Sequence, residues 1–372
     1  MIYLDHNATT PLDDRVVDAM LPYLRHYYGN PSGLYRLGRL SRGAIDSARE
    51  QVAALVGAKA SEVIFTSGGT EANNLALKGL AFSLQPATLI SGSTEHPSVT
   101  EPLKFLTGLG WNLETLPVGP GGQPDPSAIV ALQPGTGDIG TLMLANNETG
   151  VIHDTRPLAD TLRAAGAYLH VDAVQAAGKI PVDFPATGAH SLTLSSHKIY
   201  GPKGVGALII DRSAPIRPLQ HGGGQEQNRR GGTENVAGII GFGKAAELAL
   251  QSLEENREQV LKLRQQLEAG LRELPGITLF AENAPRLPNT VLFGVPGFDG
   301  ETLVMRLDRL GFAVSSGSAC ASGGNEPSPV LLAMGVDEAT ARNAIRVSLG
   351  KCNSAEHIVQ LIEAIKNLTT SH

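Results

Sequence analysis

Lys198 stands in the run Ser195-Ser196-His197-Lys198-Ile199-Tyr200-Gly201-Pro202-Lys203-Gly204, just after the β-like stretch Ser191-Leu192-Thr193-Leu194-Ser195. A lysine at the end of a buried strand is not a solvated surface charge. Desolvation or a neighbouring cation lowers the pKa of such an amine, and the neutral amine forms a Schiff base with a carbonyl. That role calls for pyridoxal phosphate, and so for a phosphate cradle and a carboxylate for the pyridine nitrogen elsewhere in the chain. Ser67-Gly68-Gly69-Thr70 offers the cradle: it lies between a strand and a helix, where free N–H groups meet an anion. Asp172 ends the strand Tyr168-Leu169-His170-Val171, at the edge where open α/β sheets bind ligands. His170 and Asp172 share one face, but no third ligand clusters with them, so no metal is expected.

Other polar groups follow further strands. His96, in Thr94-Glu95-His96, could stack on a ring or act as an acid–base group. Asn147, in Asn146-Asn147-Glu148-Thr149-Gly150, adds a fourth cluster at the same edge. Arg346 sits in the apolar strand Ala344-Ile345-Arg346-Val347-Ser348, where it needs an anion: a substrate carboxylate or an internal salt bridge. Cys320 lies among small residues from Ser315 to Gly324, with almost nothing to pack, and reads as a reactive thiol on a mobile, exposed loop. Cys352 has no such context and reads as structural or incidental. His221-Gly222-Gly223-Gly224 and Arg229-Arg230-Gly231-Gly232-Thr233 suggest a phosphate or subunit contact. Gly238, Gly243 and Lys244 match a P-loop spacing, but Ala245 replaces the magnesium-binding hydroxyl and the segment reads as helix.

Strands must place these residues. Val63–Thr66, Thr88–Ile90, Thr141–Leu144, Tyr168–Val171 and Gly206–Ile210 alternate with helical patterns, which predicts a mostly parallel sheet covered on both faces. Residues 245–274 predict one or two long helices at a domain border. Beyond them, Thr290–Phe293, Ala313–Ser315, Ala344–Ser348 and a closing helix from Ser354 predict a smaller α+β domain. The 372 residues suffice for two domains, and the 43 glycines suit many strand–helix turns. Net charge of −6 argues against a nucleic-acid surface. No export signal or membrane-length apolar run is visible, and two cysteines make no disulfide framework. A cytoplasmic enzyme is expected.

In this order the motifs resemble the cysteine desulfurases of the NifS/IscS type (group I), within the class V aminotransferases. The resemblance runs nearly end to end. It rests on Tyr3-Leu4-Asp5-His6-Asn7-Ala8-Thr9-Thr10-Pro11, Gly29-Asn30-Pro31-Ser32, Thr66-Ser67-Gly68-Gly69-Thr70-Glu71, Thr94-Glu95-His96, Val171-Asp172-Ala173-Val174-Gln175, the lysine motif and Ser315-Ser316-Gly317-Ser318-Ala319-Cys320. It implies a fold-type I pyridoxal-phosphate enzyme: α/β, with a large domain (13–257) on a seven-stranded-type sheet. A small domain (1–12 and 258–372) would carry the cysteine loop at about 315–328.

By the same resemblance Lys198 binds the cofactor, His96 stacks on it and Asp172 pairs with its nitrogen. Asn147 and Gln175 meet the ring oxygen, while Gly69, Thr70, Ser195 and His197 hold the phosphate. Thr233 completes the phosphate site of the partner subunit in a homodimer. Arg346 binds the carboxylate of L-cysteine, Cys320 takes its sulfur as a persulfide, and alanine leaves. The sulfur then passes to an acceptor protein, an iron–sulfur scaffold or another thiolation protein. Two departures are His6, of little expected consequence, and the short C-terminus, which puts a scaffold partner in question.

Overall fold

The computed structural model describes residues 1–317 and 326–370; Cys320 lies outside them. A short strand β1 (Ile2–Tyr3) opens the chain. Then come β2 (Val63–Thr66), β3 (Thr88–Gly92), β4 (Asn112–Leu116), β5 (Ile139–Thr141), β6 (Tyr168–Asp172), β7 (Ser191–Ser195) and β8 (Gly206–Ile210). They form one seven-stranded sheet in the order β2-β8-β7-β6-β5-β3-β4. The run β7-β6-β5-β3-β4 is parallel throughout, whereas β8 is antiparallel to both its neighbours. Strands β7 and β8 are buried at every position, which explains the near-continuous apolar reading of β8. Strand β4 is the exposed edge and carries no clear apolar alternation, so it gave no strand signal.

Helices Gly69–Ala81, Pro97–Thr107 and Arg156–Ala164 lie among those strands in sequence, their apolar sides in the two cores that sandwich the sheet. The expected strand Thr141–Leu144 is corrected: regular pairing ends at Thr141. Leu142 and Leu144 still donate to His170 O and Asp172 O, but the N–H of Met143 turns to the carboxylate of Glu95. The long helical stretch resolves as two helices, Val236–Gln251 and Leu253–Arg272, bent by 71°. Among the described residues, no single helix is long and apolar enough to cross a membrane.

The rest builds a four-stranded antiparallel sheet from β9 (Thr278–Leu279), β10 (Thr290–Gly294), β12 (Ser315–Ser316) and β13 (Ala344–Ser348), in the order β12-β13-β10-β9. Strand β11 (Phe312–Ala313) pairs instead with β1, so the expected strand Ala313–Ser315 is split at Val314 between two sheets. A separate apolar core joins Leu4 to residues between Val260 and Ile365. Between the two sheets runs the N-terminal segment: Asn7 N donates to Ser348 Oγ, and Thr10 N to His197 O.

Candidate active site at the carboxyl ends of the parallel strands

A cavity of ≈ 460 Å³ opens where β3, β5, β6 and β7 end. Parallel strands deliver their next residues to the same edge, so groups far apart in sequence meet there. The lining includes Gly69, Thr70, His96, Asn147, Asp172, Gln175, Ser195, His197, Lys198 and Arg346. Thr233 is exposed and is not part of it.

One end of the cavity suits an anion. The helix Gly69–Ala81 begins there, with its unpaired N–H groups and positive dipole end. Close approach is allowed because residue 69 has no side chain: a Cβ would come within 3.1 Å of Val174 Cγ2. The hydroxyl of Ser195, which lines the cavity with its Cβ beneath Gly69, is buried and has no hydrogen-bond partner. A buried hydroxyl left without a partner is costly, and a bound phosphate oxygen would satisfy it. Glu71, in the first turn, would oppose an anion. It is neutralised by Arg230, whose Nε lies 2.9 Å from its carboxylate, and this ties the arginine-rich loop to the helix. Burial and the neighbouring Lys198 push His197 down to about 4.

At the far side of the cavity, Asp172 accepts from Asn73 Nδ2 at 2.8 Å and from Val174 N at 2.9 Å. Asn73 is wholly buried and its Oδ1 accepts from His170 Nε2, whose other nitrogen meets Ser191 Oγ. His170 is thus consumed by a network, and burial lowers its pKa to about 3. Among the described residues no three His, Cys, Asp or Glu side chains group as metal ligands. Glu95 lies close by; burial, and then the charge of Asp172, raise its pKa well above the carboxylate range. His96 caps the helix Pro97–Thr107, its Nδ1 accepting from Ser98 N. Accepting there leaves Nε2 as the protonated nitrogen of the neutral ring; burial, and secondarily Lys198, lower its pKa against the pull of Asp172.

Lys198 Nζ donates to the carbonyls of Asn7 at 2.6 Å and Ala8 at 2.7 Å. Arg346 resolves its own alternative. Its Nη2 pairs with Asp5 Oδ1 at 2.7 Å and its Nη1 meets Asn147 O, while its Nε has no partner. The internal salt bridge therefore exists, yet both partners line the cavity. Sequence reasoning missed Asp5, Asn7, Asn73 and Lys179 as parts of the site. Asp5 and Asn7 stood in a quoted motif, but only their contacts with residues beyond 140 give them work. Ser328 Oγ donates to buried Glu148, whose carboxyl is pushed up to about 7 by burial.

This arrangement, a carboxylate, an amine and an anion cradle at one sheet edge, is that of a pyridoxal-phosphate enzyme. The chain belongs to the aminotransferase class-V family, whose pattern matches residues 2–361. Pyridoxal 5'-phosphate is the cofactor of that family, and the residues present fit it. More particularly, the chain is similar to cysteine desulfurases. It is 43% identical to the cysteine desulfurase IscS of Dictyoglomus turgidum, over 99% of this chain and 94% of that one. A solved NifS-like protein superposes with a TM-score of 0.93 at 36% identity, covering 100% of both chains. The structure described as SspA in complex with cysteine aligns over 94% of this chain and 99% of its own length, with a TM-score of 0.81 and 32% identity.

Proposed function

We propose that this chain is a pyridoxal-phosphate-dependent cysteine desulfurase, which converts L-cysteine to L-alanine and keeps the sulfur on Cys320 as a persulfide. The observation that carries the reading is the single cavity that gathers Lys198, Asp172, Arg346 and the N-terminus of helix Gly69–Ala81. Lys198 would hold the cofactor, with Asp172 at the pyridine nitrogen, His96 against the ring, and Asn147 and Gln175 at the ring oxygen. Gly69, Thr70, Ser195 and His197 would hold the phosphate. When bound, the cofactor supplies an electron sink for charge at the substrate Cα.

The chain's own groups do the rest. Arg346 binds the substrate carboxylate, and its pairing with Asp5 keeps the guanidinium at the cavity wall. Lys198 Nζ is the base that takes and returns the Cα proton, and His96 assists through Nε2. The Cys320 thiolate attacks the substrate sulfur: an S–S bond forms, the Cβ–S bond breaks and its electron pair stays on carbon, which is then protonated. The sulfur is oxidised and the carbon reduced, so cysteine plus enzyme thiol gives alanine plus enzyme persulfide. No outside oxidant is needed.

The same reading divides the chain into a large domain (13–257) and a small one (1–12 and 258–372); the separate core of Leu4 with residues from Val260 onward supports it. It also makes the protein a homodimer, with Thr233 reaching the partner's phosphate site. Exposed Leu24, Tyr28, Leu34 and Tyr35, close together in sequence, support a covered surface. A sulfur-acceptor protein takes the persulfide, and a free thiol suits the reducing cytoplasm. To test the function, the protein is incubated with cysteine and a thiol reductant while alanine and sulfide are followed. Equimolar products that lose their sulfide in Cys320→Ala are expected. Turnover indifferent to Cys320→Ala would point instead to an aminotransferase.

A further inference from the structure

Lys179 takes no part in the reaction above, yet its half-buried side chain reaches two residues of the cavity wall. Its Nζ donates to Asn7 Oδ1 at 2.7 Å and to Gln175 Oε1 at 2.6 Å. Asn7 is itself immobile. Its N–H donates to Ser348 Oγ, and its Nδ2 to Asn147 O and Thr290 Oγ1. Its backbone oxygen receives Gln175 Nε2 and Lys198 Nζ, and its Oδ1 also receives Asn289 Nδ2. Lys179 is therefore anchored at a fixed point rather than on a swinging partner.

The consequence falls on Gln175, which lines the cavity. A carboxamide has a donor end and an acceptor end of nearly the same shape, and its surroundings decide which faces which way. With its N–H groups directed at two oxygens, Lys179 can be met only by the acceptor end of Gln175. That sends Nε2 to the other side, where one N–H meets Asn7 O at 2.9 Å and the second is left over. Burial, and then the charges of Lys198 and Arg346, push Lys179 well below its ordinary pKa. Even as a neutral amine it keeps two N–H groups, one for each of its acceptors.

We propose that Lys179 is a positioning residue that fixes the amide of Gln175 so that an N–H donor, not a carbonyl, meets the ring of the cofactor. The inference rests on the assignment of Gln175 to the cofactor's ring oxygen. A donor there stabilises negative charge on that oxygen; a flipped amide would set a lone pair against it.

Apoprotein is titrated with pyridoxal phosphate in the wild type, Lys179→Met, Gln175→Ala and the double variant, and the visible band of each holoprotein is followed against pH. Lys179→Met is expected to weaken cofactor binding about tenfold and to move the pH of the band change by about one unit, the worth of one hydrogen bond to a charged group. In the Gln175→Ala background it is expected to change neither further. Wild-type values in Lys179→Met, or an undiminished effect in the double variant, overturn the proposal. Should Lys179→Met fail to fold, Lys179→Leu, which also lacks a donor, carries the same comparison. A wild type that binds no pyridoxal phosphate sinks the reading of the whole cavity, an outcome distinct from failure at Lys179 alone.

Discussion

At the scale of single residues, the site works by holding charges still. The carboxylate of Asp172 is held in place because Asn73 and the Val174 amide donate to its two oxygens. Replacing Asn73 with leucine leaves one oxygen short of a donor inside the protein. A hydrogen bond to a charged group contributes about 1.5–3 kcal/mol, so Asn73→Leu should weaken pyridoxal-phosphate binding by roughly tenfold or more. Titration of the apoprotein reads this directly, and wild-type affinity would show that Asn73 does not support Asp172. Arg346 makes a second case. Its fork reaches Asp5 and Asn147 O while Nε stays open, a geometry that lysine cannot copy. For Arg346→Lys the KM for cysteine should rise about tenfold, with a smaller change in kcat.

At the scale of elements, close approach matters more than side-chain bulk. The helix Val236–Gln251 crosses Arg36–Leu55 so tightly that a Cβ at Gly243 would stand 2.6 Å from Ala48 Cα. That neighbour is backbone and cannot swing aside. Gly243→Ala should therefore destabilise the fold by about 1–3 kcal/mol despite the better helix propensity of alanine, seen as a lower urea midpoint at an unchanged m-value. This glycine belongs to the P-loop-like spacing. Its place at a buried helix crossing gives the glycine a packing role instead.

For the whole molecule, stability should depend on pH from both sides. Burial holds His6 and His170 at about 4 and about 3, below the ordinary 6.5. The unfolded chain then binds protons that the native one refuses, so their contribution is complete above about pH 6.5 and is lost as pH falls through those folded values. Glu148 works in the opposite sense: raised to about 7 from 4.5, it contributes below about pH 4.5 and loses that contribution as pH rises through 7. Denaturation midpoints across pH should show the acid limb in both wild type and Glu148→Gln. The decline above about pH 6.5 should flatten in Glu148→Gln alone; an unaltered decline would remove Glu148 as its source.

The local code made much of this protein legible. Apolar runs with polar groups directly after them mark where parallel strands end, and that rule alone brings Gly69, His96, Asn147, Asp172 and Lys198 to one edge. Residue type named their chemistry, since a lysine, a carboxylate and a glycine turn differ in what they can do. It failed where neighbours in sequence say nothing: β4 has no apolar face to read, and Val314 divides one apolar run between two sheets. Only the tertiary structure decided that Asp5 meets Arg346, that Asn7 bridges Lys198 to the second sheet, and that Lys179 faces Gln175 with its amine. Those hydrogen bonds join segments up to 341 residues apart. Their partners depend on how two sheets pack around the N-terminal segment, which no short stretch of chain encodes.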